Sequence, residues 1–220
     1  MIPVPIPTKP ANFDADVFDP GEAWLAANPG AARPRPYWDK CRVELETAFS
    51  GLCGYAAMLD PTGGTVDHYF SYKNFPELAY DWENYRFASG ILNSSKKTAD
   101  SDVLDPYDVQ ADWFEVILPS LQMQVTNSVP AHLEEKAKHT IKRLGLRDGE
   151  RVIRWRKSWY DLHLQGRLDL TGLWKVAPLI AAAVAKFQAN NPGIALPAFT
   201  RSPKPVKQKR AKKSTVPNAC

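Results

Sequence analysis

Cysteine is scarce in this chain of 220 residues: Cys41, Cys53 and Cys220 are the full set. An odd, sparse set makes no disulfide framework. With no Cys-x-x-Cys pair, a structural zinc built from cysteines is not expected either. Long apolar runs are also missing. The longest, VAPLIAAAVAKF from Val176 to Phe187, contains Pro178 and Lys186 and falls short of the ~20 residues of a membrane span. It reads as a buried helix, and no membrane association is expected. The opening MIPVPIPTKP has no basic start leading into an apolar stretch, so no secretory signal is visible and the cytoplasm is the expected compartment. Acidic residues are absent from positions 201–220, which carry seven Lys/Arg and leave 21 basic against 24 acidic residues, a net of −3, in the first 200. That basic tail, Lys209 and Arg210 included, has too few large apolar residues to fold. It is expected to be a disordered polycation suited to nucleic-acid phosphates, or else a solubilising tail with no specific partner.

What is present is enough for one domain with appendages: 44% hydrophobic residues, with seven Trp, eight Tyr and nine Phe. Residues 1–37 read as an extended, proline-rich arm with one short helical turn near Gly21–Ala27, its Phe13, Phe18 and Trp24 packing on the main body. Residues 38–195 form the domain, and 196–220 the tail. A helix is expected over Trp38–Ser50, with Val43, Leu45, Ala48 and Phe49 apolar and Gly51 as its stop. Two β-prone runs flank Pro61-Thr62-Gly63-Gly64 and read as a hairpin whose second strand carries Asp67-His68. A polar and aromatic loop follows over 71–83, then a short extended piece at 84–89 and a short helix from about Leu92 through Lys96 and Lys97. The C-terminal half reads as three helices, over 131–144, 149–165 and 171–189, the last two capped by Asp148 and Thr171.

Asp67, His68, Asn84, Asn93 and Lys96 carry residue types that suit phosphodiester hydrolysis. That reaction needs a base to activate water and a positive centre for the charge developing on phosphate. Neutral histidine suits the first task. Asp and Asn oxygens suit Mg²⁺ or Mn²⁺, which prefer hard donors. Adjacent strand side chains point to opposite faces, so a twist or bulge is expected where Asp67 and His68 converge. Asn84 is placed to tie down the intervening loop. Lys96 or Lys97, one turn after Asn93, is placed to reach phosphate. The alternative is a partly exposed hairpin histidine, a turn asparagine and a helix-capping asparagine.

VDHYFS (66–71), DWENYRFA (81–88) and LNSSKK (92–97), in that order, resemble the HNH nuclease motif of the ββα-metal fold. The spacings of 16 residues from His68 to Asn84 and 9 from Asn84 to Asn93 lie within that pattern. PELAYDWENY (76–85), VLDPYD (103–108) and HTIKRLGLRDGERVIRWRK (139–157) are similar to the HNH proteins of bacterial anti-phage systems, including retron-linked and ATPase-linked ones. The resemblance covers about residues 35–160. It implies an α+β fold, with a small ββα-metal hairpin–helix core at about 53–98 embedded in a mainly helical domain. It implies His68 as general base, Asp67 and Asn93 on one Mg²⁺ or Mn²⁺ ion, Asn84 fixing the loop and Lys96 assisting. The implied activity is an endonuclease, acting on double-stranded DNA and working with an ATPase or other defence-system partner. Many relatives frame the hairpin with two Cys-x-x-Cys pairs. Here Cys53 remains, its partner position is Ala56 and the second pair is absent. The expected substitute is apolar packing by Tyr55, Phe70, Trp82 and Phe87.

Outside the motif, Lys136–Lys157 holds nine Lys/Arg against two acids, and Arg151, Arg154 and Lys157 share a helix face suited to tracking phosphates. His132, His139 and His163 read as surface or capping residues. Asp102, Asp105 and Asp108 flank a proline turn, where aspartates are ordinary. A silent nucleic-acid-binding subunit and an RNA-cleaving toxin remain alternatives to the DNA endonuclease.

Overall fold

A computed structural model describes residues 1–201. The chain is α+β, with seven α-helices and two separate two-stranded antiparallel sheets among the described residues. Lys209 and Arg210 and most of the basic tail lie outside them.

The arm is more helical than its prolines suggest. A π-helical turn over Asp14–Phe18 runs into α1, Asp19–Ala27. Pro20 sits in the first turn of α1, where its missing N–H costs nothing. Phe13 and Val17 are buried, and Phe13 meets Trp82 and Tyr85 edge to face. Phe18, expected to pack, is 41% exposed. The Trp82 indole donates to the Pro7 carbonyl at 3.0 Å and pins the start of the arm. Gly21 lies against the Tyr80 ring so closely that a Cβ would stand 2.3 Å from it.

After the arm, a 3₁₀ turn at Tyr37–Cys41 leads into α2, Arg42–Ala48. Leu45 and Phe49 face the core, whereas Val43, read as apolar-face, is 59% exposed. The expected hairpin about Pro61–Gly64 is corrected. The run before the turn closes only on itself, as an isolated bridge from Leu52 to Leu59. The strand β1, Thr65–His68, pairs instead with β2, Tyr85–Ala88. The cause lies at Gly64, which turns with φ +58° under the Phe87 ring, so the chain delivers β1 alongside β2. The helix α3, Gly90–Lys96, follows at once, started by the Ser89 hydroxyl accepting from the Leu92 N–H. Strand, loop, strand and helix thus form one ββα unit.

A second hairpin, β3 (Phe114–Ile117) with β4 (Gln122–Val125), went unread in the sequence, although Phe114/Val116 and Met123 alternate inward. Then come α4 (Ala131–Arg143) and α5 (Glu150–Leu164). Gly149 rather than Asp148 takes the N-cap position of α5. The expected third helix is two: α6 (Leu170–Val176), capped by Asp169 rather than Thr171, and α7 (Pro178–Asn190). Pro178 has no N–H for a continuous ladder and starts α7 afresh. The core has two main clusters. One gathers the arm, α2 and the β1–β2 hairpin; the other gathers α3 to α7 around β3–β4. The ββα unit contributes to both: Val66, Tyr85 and Phe87 to the first, Ala88 and Leu92 to the second. Burial of each such large apolar side chain contributes about 1.5–3 kcal/mol.

Candidate active site

The antiparallel register sets Asp67 opposite Arg86 and His68 opposite Tyr85. Adjacent strand residues face opposite ways, and these two do: Asp67 turns toward Tyr55 and Lys96, His68 toward Trp38, Tyr72 and Tyr85. The pairing runs through all four β1 residues, so the expected bulge is not how they converge. A cavity of about 480 Å³ crosses the strand and is lined by both, together with Asn93 at its side.

His68 is buried, and its Nε2 lies 2.8 Å from the Ala79 carbonyl. A carbonyl only accepts, so Nε2 carries the hydrogen and Nδ1 keeps the lone pair in the neutral ring. The rings of Trp38, Tyr85 and Tyr72 meet His68 edge to face, at 4.6, 5.1 and 5.3 Å between centroids. This enclosure, more than the positive Lys96 nearby, lowers the His68 pKa to about 4, so the imidazole is neutral at pH 7.

Asp67 is anchored from behind. The Tyr55 hydroxyl donates to Oδ2 at 2.7 Å, and Lys96 Nζ lies 3.3 Å from Oδ1 while donating to the His68 carbonyl at 2.6 Å. Burial pushes the Asp67 carboxyl above its ordinary range, against the downward pull of Lys96 and the Tyr55 hydroxyl. Lys96 is fully buried and does not line the cavity. Its expected contact with phosphate is therefore corrected: α3 aims Lys96 inward, at β1. Lys97, the next residue, is exposed and lines the cavity, on a backbone held at φ +54°.

Asn84 ties the loop together. Its Oδ1 accepts from the Phe70 N–H at 2.7 Å, and its Nδ2 donates to the carbonyls of Phe70 and Leu78, both at 2.9 Å. Asn93 donates from Nδ2 to the Val66 carbonyl at 3.2 Å, leaving Oδ1 without a hydrogen-bond donor among the described residues. Each Asp67 oxygen also retains acceptor capacity beyond its one bond. An amide oxygen and a carboxylate, both hard donors on one cavity, fit a divalent ion that keeps several waters. The described residues gather no group of three His, Cys, Asp or Glu for a metal.

Neither a family model nor a curated protein matches this chain. The site must stand on its geometry.

Several residues of the site went unread. Tyr55, expected only to pack, also holds Asp67. Arg33 of the arm and Lys73 of the loop line the cavity beside Lys97, giving it three cations. Asp100 accepts from the Ser71 N–H and from Asn74 Nδ2, both at 2.6 Å, and so clamps residues 71–74 to the chain beyond α3. The sequence signal was the run Ser71-Tyr72-Lys73, three residues beyond His68. Of the expected hairpin packing, Tyr55, Trp82 and Phe87 are buried, and Phe70 is half-buried in a small cluster with Tyr69 and Val103. Cys53 is buried, its thiol pushed up by desolvation, and its sulfur accepts from the Ser89 N–H.

The basic face of α5 is weaker than its composition. Arg154 pairs with Glu150 and Lys157 with Asp161, while Arg151 is exposed. Arg156 of the same run is buried and donates to the Leu121 carbonyl. Asp105 is bonded by both Arg86 Nε and Nη2, a buried structural pair. A larger cavity of about 700 Å³, between the β3–β4 hairpin and α7, has its Glu115 and Lys186 paired with each other at 2.8 Å and is lined by no histidine.

Proposed function

We propose that this protein is a divalent-metal-dependent endonuclease that hydrolyses phosphodiester bonds, with DNA as substrate. The observation that carries the reading is His68. It is neutral and fixed through Nε2, and it shares one cavity with the oxygens of Asp67 and Asn93 and the cations Arg33, Lys73 and Lys97. Nδ1 of His68 takes a proton from water, as a positioned base does. Asp67 and Asn93 would hold the divalent ion, and Asn84 keeps the loop that presents the Ala79 carbonyl to His68. When bound, the ion stabilises charge on the phosphate and the departing oxygen. Lys97, Lys73 and Arg33 draw the phosphate in, and Lys96 positions Asp67 and the His68 backbone. The likeness of 66–97 to the HNH motif supports this assignment, and the likeness of the wider chain to anti-phage HNH proteins supports a role in bacterial defence beside an ATPase partner.

One observation favours a second reading, a nucleic-acid-binding subunit that does not cut. The Lys96 ammonium already neutralises Asp67. Supercoiled plasmid with Mg²⁺ or Mn²⁺ separates the two. Metal-dependent nicking, abolished by EDTA and by His68→Ala, is expected of the nuclease. Folded protein that binds DNA and leaves the plasmid intact belongs to the second reading.

A further inference from the structure

The cavity at His68 does not end there. Tyr72 and Lys73 line it and also line a second cavity of about 700 Å³, walled on its other side by Ala31, Ala32 and Pro34 of the arm. The two differ in charge. The first takes Arg33, Lys73 and Lys97, with its single carboxylate, Asp67, neutralised by Lys96. The second has one acid, Glu77, and one base, Lys73, in an otherwise uncharged lining rich in proline and alanine. Between them stands the Tyr72 ring, stacked on Trp38 at 5.9 Å and 18°.

We infer that the second cavity is a subsite for the nucleobase next to the scissile phosphate, and that the protein therefore takes a strand whose base at that position is unpaired. The inference rests on the nuclease reading. The positive first cavity holds phosphate oxygens. The second cavity, where Glu77 offsets Lys73, suits an uncharged base and not another phosphate. Tyr72, half-buried and backed by Trp38, is the stacking surface, an arrangement by which single strands are held without sequence reading. A base inside a duplex cannot lie flat on Tyr72 without leaving its pair.

The test is binding, measured by fluorescence anisotropy with the full chain in EDTA, so that cutting plays no part. The probes are a short fluorescein-labelled single-stranded DNA, the same sequence as duplex, and its RNA counterpart. Tyr72→Ala is expected to weaken single-strand binding on the order of tenfold and to leave duplex binding within about twofold. Tyr72→Phe keeps the ring and is expected to bind like wild type, which a role for the hydroxyl would not allow. Ala32→Trp fills the second cavity from the exposed arm without touching Trp38 or His68, and is expected to cause the same selective loss should Tyr72→Ala fail to fold. Lys73→Ala is expected to lower the slope of log affinity against log salt by about 0.7 on single strands. Loss in DNA alone or RNA alone assigns the strand; loss in both assigns the shared chemistry. Unchanged single-strand binding in Tyr72→Ala or Ala32→Trp overturns the subsite, as does an equal loss on duplex. Cleavage of the labelled single strand by wild type in Mg²⁺ or Mn²⁺ reports separately on the nuclease: cleavage with unchanged binding in the variants removes the subsite alone, and selective loss of binding without any cleavage removes the nuclease alone.

Discussion

At the scale of the residue, the site depends on how buried charges are balanced. Lys96 and Asp67 form an ion pair in which both side chains are almost wholly inaccessible. Removing one member strands the other, which costs about 3–5 kcal/mol. Lys96→Met is therefore expected to lower stability to urea by that amount, and adding Asp67→Asn to restore part of it. A loss in the double variant equal to the sum of the losses in Lys96→Met and Asp67→Asn would show that the pair is not coupled. His68 gives a pH dependence of known sign. Its pKa falls from 6.5 in the unfolded chain to about 4 in the fold. Between those values the unfolded state binds the extra proton, so this contribution to stability is intact above pH 6.5 and is lost as pH falls. Relative to His68→Phe, wild type is expected to lose about 2 kcal/mol between pH 7 and pH 5 by denaturant titration. Parallel profiles would mean that the ring is not shielded as described.

At the scale of the element, the ββα unit was legible in parts and mispaired as a whole. Ser89 as helix start and the apolar Val66 and Phe87 are local signals. The pairing of β1 with β2 is not local, because 16 residues separate His68 from Tyr85 and nothing in their own sequence names a partner. The Pro61-Thr62-Gly63-Gly64 turn signal between two β-prone runs points to the nearer pairing instead. The split of α6 from α7 was legible at Pro178, but its apolar surroundings masked it. The arm owes its place to close contact. Gly21→Val would drive side-chain atoms into Tyr80 and is expected to cost about 1–3 kcal/mol. It should also release the arm to limited proteolysis while β1–β2 stays protected. An arm still resistant to protease would show that Tyr80 yields instead.

At the scale of the molecule, free positive charge is apportioned unevenly between the α5 face and the cavity at His68. On α5, Arg154 and Lys157 are answered by Glu150 and Asp161 one turn away. At the cavity, Arg33, Lys73 and Lys97 come from three separate segments, and the one carboxylate among them is already paired. DNA affinity at moderate salt is thus expected to fall several-fold in Lys97→Ala and by less than about twofold in Arg154→Ala. The reverse order would move the nucleic-acid surface to α5. No helix among the described residues is long and apolar enough to cross a membrane.

The sequence by itself determined the α+β class, most helix positions, and the order Asp67, His68, Asn84, Asn93 and Lys96. These follow from residue type and short spacing, which act along the chain. Only the tertiary structure decided that Lys96 turns inward to Asp67 while Lys97 meets the cavity, and that Tyr55 anchors Asp67. It likewise brought Arg33 of the arm to the side of His68 and opened a second cavity behind Tyr72. Those are choices of burial and partner, made where distant segments pack together, and no local pattern encodes them.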